Sequence, residues 1–500
     1  MLDAEHQHVS STASRLWQFH DEYVLGTRLE VLVNSRSGVL AAESARVARA
    51  EIDRLERVFN HRREDSEISA LNRSRSARAS PALFEVVQAS ELWRALTGGA
   101  FDARMGDLLH LWRTELTPNP ELIERALHAL RGGAIRLDPA EHRIDLPAGV
   151  ALSFDALAKG YIIDAALEAA RLAVPAIEGI AIAIGGDIRC WGVGADGCGW
   201  RVGIPEPALV AMNAPLADSV VLHNAAIATS GRGPRDRFGG GLRSSTISPL
   251  TGRPVQDIVA ASVVSSHAMD ADAIATACMV LSPERSLAIV DQLEGVAARI
   301  TDSRGQVHTS AHWPKLQLAA TSPEMHIAQA KPKKSLPENI AWPSEWVLSI
   351  DYTAPPRQIA KRQSDFRSPY MAMWITDEHN KPVRTVLMVG RELDWQRDNF
   401  VWWGINRART KELVKLRSLP TSVSGRYSVY WAGVDDDGNP VPMGKYTLHL
   451  ETSQERGKHN YRSVTLELGR KSFREELPKL EGSGGIETFY GHPSERYKYL

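Results

Sequence analysis

Residues Leu29-Glu30-Val31-Leu32-Val33 alternate in the manner of a half-buried strand, and the chain then changes period, with Ala48, Ile52, Leu55 and Phe59 recurring at helical spacing. A strand feeding a long amphipathic helix opens an α/β-type unit, and the pattern continues outward from it. Ser80-Pro81 is an N-cap followed by a first-turn proline, and Val86, Val87, Trp93 and Leu96 carry that helix to the stop at Gly98-Gly99. Leu122, Ala126, Leu127 and Leu130 predict a further helix before Gly132-Gly133. Helices are expected over 158–170, 270–281 and 283–293, interleaved with short strands at 180–184 and 200–204. Together these predict one α+β unit over residues 20–312.

Periodicity then lapses. Residues 313–342 hold Pro314, Pro323, Pro332 and Pro337 with the basic cluster Lys331, Lys333, Lys334, the composition of a linker. Beyond it, residues 343–500 change texture: seven of the thirteen tryptophans lie from Trp342 onward. Runs at 346–352 and 427–431 alternate with period two, as strands do. The turn Asp435-Asp436-Asp437-Gly438-Asn439-Pro440 predicts a hairpin joining 427–431 to 446–450 within an all-β, immunoglobulin-like sandwich. The pair Trp402-Trp403 is expected in that sandwich's core, with an exposed partner-binding role as the alternative.

Five hundred residues correspond to about three domain-sized units of roughly 150 residues, or one large and one smaller. A formal charge of -1 with 43% hydrophobic and 24% charged residues is an ordinary globular balance and argues against a nucleic-acid partner. The longest apolar candidate for a span, Ile180 to Ile184, falls far short of the ~18 residues a bilayer requires, so no transmembrane segment is expected. Cys190, Cys198 and Cys278 lack metal-site spacing and are expected as thiols. The first twenty residues carry no basic flank leading into an apolar run. The expectation is a cytoplasmic protein as written, or a periplasmic one if the true start lies upstream.

Three motifs are better explained without chemistry. Gly192-Val193-Gly194-Ala195-Asp196-Gly197 matches a dinucleotide fingerprint, but a strand-like run rather than a helix follows, so a glycine-rich turn is expected. In the triple-aspartate turn Pro440 and Tyr446 occupy the positions where a calcium loop needs glycine and glutamate. The sixteen histidines form no H-E-x-x-H. Asp272 and Thr276 differ: four apart on one predicted helix, they share a face, and a carboxylate plus a hydroxyl are hard oxygen ligands of the kind magnesium takes. A first-turn acid stabilised by the helix dipole is the other reading that this spacing leaves open.

An ordered series of segments carries a family resemblance. It runs through Leu25-Gly26-Thr27, the stretch from Asp65-Ser66 to Leu71-Asn72, Gly98-Gly99-Ala100-Phe101-Asp102, and Leu108 with Trp112. It continues through Ala158-Lys159-Gly160-Tyr161 with Asp164, Gly185-Gly186-Asp187, Ala228-Thr229-Ser230-Gly231, Pro249 to Pro254, and Ala271 to Thr276. In these segments residues 24–300 resemble the ApbE family, the FAD:protein FMN transferases. The resemblance implies an α+β flavin transferase domain in which FAD lies in a cleft, its pyrophosphate bridged by Mg²⁺, and a Ser/Thr hydroxyl of an acceptor flavoprotein attacks the FMN-side phosphorus with release of AMP. It implies metal ligation by Asp272, Thr276 and the Ala156 carbonyl, catalytic roles for Asp272 and Lys159, and FAD contacts at Leu25, Ala100, Phe101, Asp102, Ser153, Lys159 and Ser245. A lysine and a divalent cation suit phosphoryl transfer, which is mostly positioning and charge neutralisation.

The chain departs from the family pattern at four places, one of them near Arg62, where the family often has a tyrosine and where an arginine could instead meet phosphate. Ser153 stands where an aspartate is usual, with Asp155 two positions on, and Ser245 and Ser248 stand where the family has histidine and aspartate. Serine cannot accept a proton near neutral pH as imidazole does. The alternatives are therefore an FAD pyrophosphatase, with water as acceptor, and a catalytically silent FAD-binding protein. The C-terminal unit resembles a family of uncharacterised, predicted periplasmic β-domains and is expected to dock the acceptor.

Overall fold

Leu29, Val31 and Val33 form the buried face of the strand Thr27–Asn34, and Leu32 points to the opposite side, as the alternation requires. The computed structural model describes residues 16–492 apart from 62, 116, 208–215, 232–236, 239–240, 243, 318–335, 344, 355–369, 391–394, 411–412, 414–417, 420–424, 454–458 and 478–484. Thr27–Asn34 belongs to an eight-stranded sheet whose neighbours follow chain order: Leu16–Val24, Thr27–Asn34, Gly179–Ile184, Asp187–Gly192, Ala226–Gly231, Ile258–Ser265, Ala297–Asp302 and Val307–Thr309. Every adjacent pair is antiparallel. The unit is thus α+β, with its helices inserted in two excursions from an antiparallel meander.

The first excursion leaves after Asn34 and contains the helices Gly38–Phe59, Pro81–Leu96, Pro120–Gly132 and Ala158–Ala173. Ser37 caps the first of these, accepting the Leu40 N–H, and Ala41, Ala45, Ala48, Ile52, Leu55 and Phe59 are its buried stripe. The second excursion leaves after Ser265 with the helices Ala268–Val280 and Pro283–Val290. Helices and sheet share one core that includes Val31, Ile52, Ile163, Ile182 and Ala275. The other face of the sheet carries a second core in which Ala181, Cys190, Ile227 and Val264 pack with Trp200, Val220 and Trp313. The glycine-rich stretch after Asp187–Gly192 leads into the strand Trp200–Pro205, which pairs with Leu216–Leu222, so a turn rather than a cofactor loop stands there.

Trp313, read from the sequence as the first residue past the unit, is fully buried in that second core, and its indole donates to Asp218 at 3.0 Å. Gln317 bridges to Val220 and also reaches Asp218. The folded unit therefore continues past residue 312, because one large apolar side chain outweighs the flanking prolines. Most of the proline-lysine segment lies outside the described residues.

The C-terminal unit has two sheets around their own core. One orders Gly425–Trp431, Val347–Ala354, Ile486–Gly491 and Phe473–Leu477; the other orders Ser418–Leu419, Pro382–Val389, Tyr370–Asp377, Gly444–Ser453 and Asn460–Leu468. The expected hairpin is absent from it. Gly425–Trp431 pairs with Val347–Ala354, whereas Gly444–Ser453 pairs with Tyr370–Asp377, so the aspartate turn crosses from one sheet to the other. Trp431 and Tyr446 meet edge to face across the core at 5.0 Å, which is a face-to-face contact of a sandwich rather than a ladder pair. The aspartates organise the crossing: Asp435 accepts the Asp437 and Asn439 N–H groups, and Asp436 accepts that of Thr385. Trp402 is fully buried and donates to Thr385 at 3.1 Å, a core position.

Candidate active site

Two helices cross where Gly160 meets the start of Ala268–Val280, and a side chain on Gly160 would run into the Ala268 carbonyl. The close approach is held by Asp164, one turn further along the helix Ala158–Ala173. Its carboxylate accepts the N–H groups of Ala268 and Met269 at 2.9 and 3.0 Å, and Arg189 pairs with it at 2.9 Å. His267, at the N-cap, makes no side-chain capping bond, so Asp164 caps this helix from outside. Burial pushes the Asp164 carboxyl up, against Arg189 and the two N–H groups.

The crossing brings Lys159 and Asp272 into one centre. Asp272 is only 4% exposed, and its Oδ2 has no hydrogen-bond partner among the described residues. Burial pushes its carboxyl up to about 7; Lys159 and the Gly160 N–H oppose this, while Asp187 and Asp155 reinforce it. Lys159 Nζ pairs with Asp187, which is buried where the chain leaves the Gly185-Gly186 turn. Both glycines have positive φ, 61° and 108°, and the Thr27 side chain leaves no room for a Cβ on Gly185. Thr276 lies one helical turn beyond Asp272, and its hydroxyl is 3.2 Å from that of Ser230. The helix face predicted from the spacing of Asp272 and Thr276 is present, with its carboxylate inward.

The segment carrying Ser153 and Ala156 is fixed by Asn72, which accepts the Leu152 N–H at 2.8 Å and donates to the Leu152 carbonyl at 2.9 Å. Ser153 is buried, and its hydroxyl donates to Asp155 at 3.1 Å. Burial raises the Asp155 carboxyl, but Arg113, His61 and Ser153 outweigh it and hold it below its ordinary value. Ala156 is half-buried beside it. Leu25 and Gly26 form the two-residue turn of the first hairpin with φ 51° and 74°; positive φ at both positions is the primed-turn requirement, and leucine is a strained choice for it.

Ala100 and Phe101 are 1% and 3% exposed, so they are core, and Gly99 and Asp102 are the members of that segment on a cleft wall. The cleft measures about 540 Å³ and is lined by Gly99, Asp102, Arg104, Arg131 and Leu250 among others. Asp102 is bound two-pronged by Arg104 at 2.6 and 2.9 Å, and both side chains are nearly fully buried. Ser245 is exposed, whereas Ser248 is buried and accepts the N–H groups of Leu250 and Thr251 at 3.2 and 3.3 Å. An aspartate oxygen would make the same turn, so the serine leaves this loop intact. Trp112 reaches the same loop, donating to the Gly252 carbonyl at 2.7 Å. Sequence reasoning missed Arg104, Arg113 and His61; Arg104 stands two residues from Asp102, whereas Arg113 and His61 meet Asp155 only through the fold.

Among the described residues no three His, Cys, Asp or Glu side chains gather as a metal cluster. A site with one carboxylate, one hydroxyl and one carbonyl would not form such a cluster. The unpartnered Oδ2 of Asp272 fits a hard cation, because a buried carboxylate oxygen without a donor is costly unless something positive meets it.

Fold and site define an antiparallel α+β protein with a half-buried lysine beside buried carboxylates at a helix crossing. The chain belongs to the ApbE family, whose sequence model matches residues 25–300. An FAD:protein FMN transferase of Treponema pallidum is 30% identical over 322 residues, spanning 58% of this chain and 86% of its own. Another from Vibrio cholerae is 29% identical over 289 residues, spanning 53% and 82%. The solved structure of an ApbE protein from Thermotoga maritima matches with a TM-score of 0.55 at 23% identity, covering 61% of this chain and 100% of that one, a likeness of fold. Residues 357–488 match a family described as "Predicted periplasmic protein (DUF2271)". No helix among the described residues is long and apolar enough to cross a membrane.

Proposed function

We propose that this chain transfers the FMN half of FAD to a Ser/Thr hydroxyl of an acceptor flavoprotein, with Mg²⁺ required and AMP released. The observation that carries the metal-dependent reading is Asp272: buried, pushed toward neutrality, and with one oxygen unanswered by the protein. Asp272, the Thr276 hydroxyl and the Ala156 carbonyl would hold the ion. Bound there, it would neutralise charge developing on the pyrophosphate. Lys159 supplies a second positive charge, held by Asp187 until phosphate oxygens compete for it. The cleft beside Gly99 and Asp102 would receive part of FAD, shielding the phosphates from water. The likeness of residues 357–488 to a predicted periplasmic family supports a reaction outside the cytoplasm.

The test is product analysis with FAD, with and without Mg²⁺, and an acceptor carrying a Ser/Thr flavinylation site. Stoichiometric AMP and covalently labelled acceptor are expected. AMP with free FMN in place of the label would identify a pyrophosphatase, and intact bound FAD would identify a silent binding protein.

A further inference from the structure

The resembled family pattern places an imidazole at position 245 and a carboxylate at position 153, where this chain has serines. Both groups reappear together elsewhere. His61 lies just beyond the helix Gly38–Phe59, and its Nδ1 is 3.5 Å from Oδ1 of Asp155. Oδ2 of the same carboxylate accepts from the Ser153 hydroxyl and from Arg113. Arg113 Nη1 lies 3.3 Å from His61 Nε2. A guanidinium only donates, so Nε2 carries the lone pair and the ring proton sits on Nδ1, facing Asp155. The Ser69 hydroxyl holds the His61 carbonyl at 3.3 Å, fixing the backbone. Asp155 immediately precedes Ala156, on the segment that leads into the helix carrying Lys159, so the pair lies on the same stretch of chain as the lysine–carboxylate centre.

We propose that His61 is the proton acceptor for the attacking hydroxyl and that Asp155 is its positioning residue; the inference rests on the transferase reading above. The acceptor oxygen forms a bond to the FMN-side phosphorus. The bond from that phosphorus to the oxygen bridging the AMP phosphate breaks, and its electron pair leaves with AMP. The hydroxyl proton passes to His61 Nε2, and the imidazolium is stabilised by the Asp155 carboxylate and later loses the proton to solvent. In the structure Arg113 covers Nε2. Its side chain is 45% exposed, so solvent weakens its hold, and the pyrophosphate offers it a stronger two-pronged partner. Substrate binding therefore draws Arg113 away from Nε2. Among the described residues, Asp155 and Arg113 are charged groups that face the imidazole.

The experiment compares wild type, His61→Gln, Asp155→Asn and the double variant His61→Gln/Ser245→His for AMP release, acceptor labelling and FAD binding as a function of pH. Removal of the base is expected to lower kcat by about 10²-fold or more. KM for FAD should stay within about twofold, since ground-state binding is untouched. The acidic limb of the pH–rate profile should flatten, and the second substitution should recover part of the rate by restoring an imidazole. Asp155→Asn should lower kcat and shift that limb without loss of FAD binding, and it reads the same dyad if His61→Gln folds poorly. Wild-type kcat in His61→Gln, or a raised KM with an unchanged pH profile, would overturn the assignment and leave the transferase reading standing. A wild-type protein that binds FAD and Mg²⁺ yet labels no acceptor would overturn both.

Discussion

Asp272 is the side chain on which the proposed metal-dependent chemistry rests. A carboxylate in that position could only have been retained for packing if its oxygens were answered, and Oδ2 is not. Asp272→Ala should lower Mg²⁺-dependent AMP release by about 10²-fold or more, as loss of a preorganised electrostatic partner does. Chelation of the metal should do the same to the wild type, and the variant should be indifferent to added chelator; full activity in the variant would remove the metal assignment. In the C-terminal unit His449 offers a second residue-scale test. It stacks on Trp374 at 4.9 Å and contacts Thr376 and Tyr461, and burial lowers its pKa from 6.5 to about 4. Between those values the unfolded chain binds the extra proton, so stability of this unit is full above pH 6.5 and falls as pH drops toward 4. Chemical denaturation at a series of pH values should show that slope, and His449→Gln should flatten it.

Helix starts are the shared device at the next scale. Neither His267 nor Asn399 caps its own helix with a side chain; Asp164 does so for Ala268–Val280, and Glu451 accepts the Val401 and Trp402 N–H groups for Phe400–Ile405. A carboxylate brought from another element thus fixes each helix against its sheet or neighbouring helix. Asp164→Ala should cost about 3 kcal/mol or more, because it also strands Arg189 in a nearly buried site. Gly160→Ala should cost about 1–3 kcal/mol by overpacking the crossing. In both variants Lys159 and Asp272 should move apart, so activity should fall further than the melting temperature alone explains; unchanged melting would contradict the packing described. These contacts explain what the sequence showed and what it hid. The strand at Leu29, the helix stripe through Ile52 and the shared face of Asp272 and Thr276 were legible because period reports which face a residue takes. The Asp164 cap acts across 104 residues and the Lys159–Asp187 pair across 28, distances at which no local pattern operates.

At the scale of the molecule, two units with separate cores are strung on one chain. Alternation at 427–431 and 446–450 correctly marked strands, yet could not say which partners they take, and so a crossing between sheets passed for a hairpin. Trp313 shows the converse error, since proline content outweighed a single buried indole in locating the end of the first unit. Phe101 packs in the core, and Gly99 and Asp102 of the same segment are among the residues lining the cleft. Separate cores predict that acid destabilisation through His449 lowers the melting of the C-terminal unit while FAD binding by the first unit persists, which flavin fluorescence during a pH-controlled melt would read. The most direct measurement is covalent flavin on a Ser/Thr-bearing acceptor, followed in a denaturing gel with FAD and Mg²⁺, for wild type and Asp272→Ala side by side. A fluorescent acceptor band that requires Mg²⁺ and disappears in the variant is the predicted result; a band of equal strength in the variant, or none from the wild type with its FAD left intact, would contradict the account.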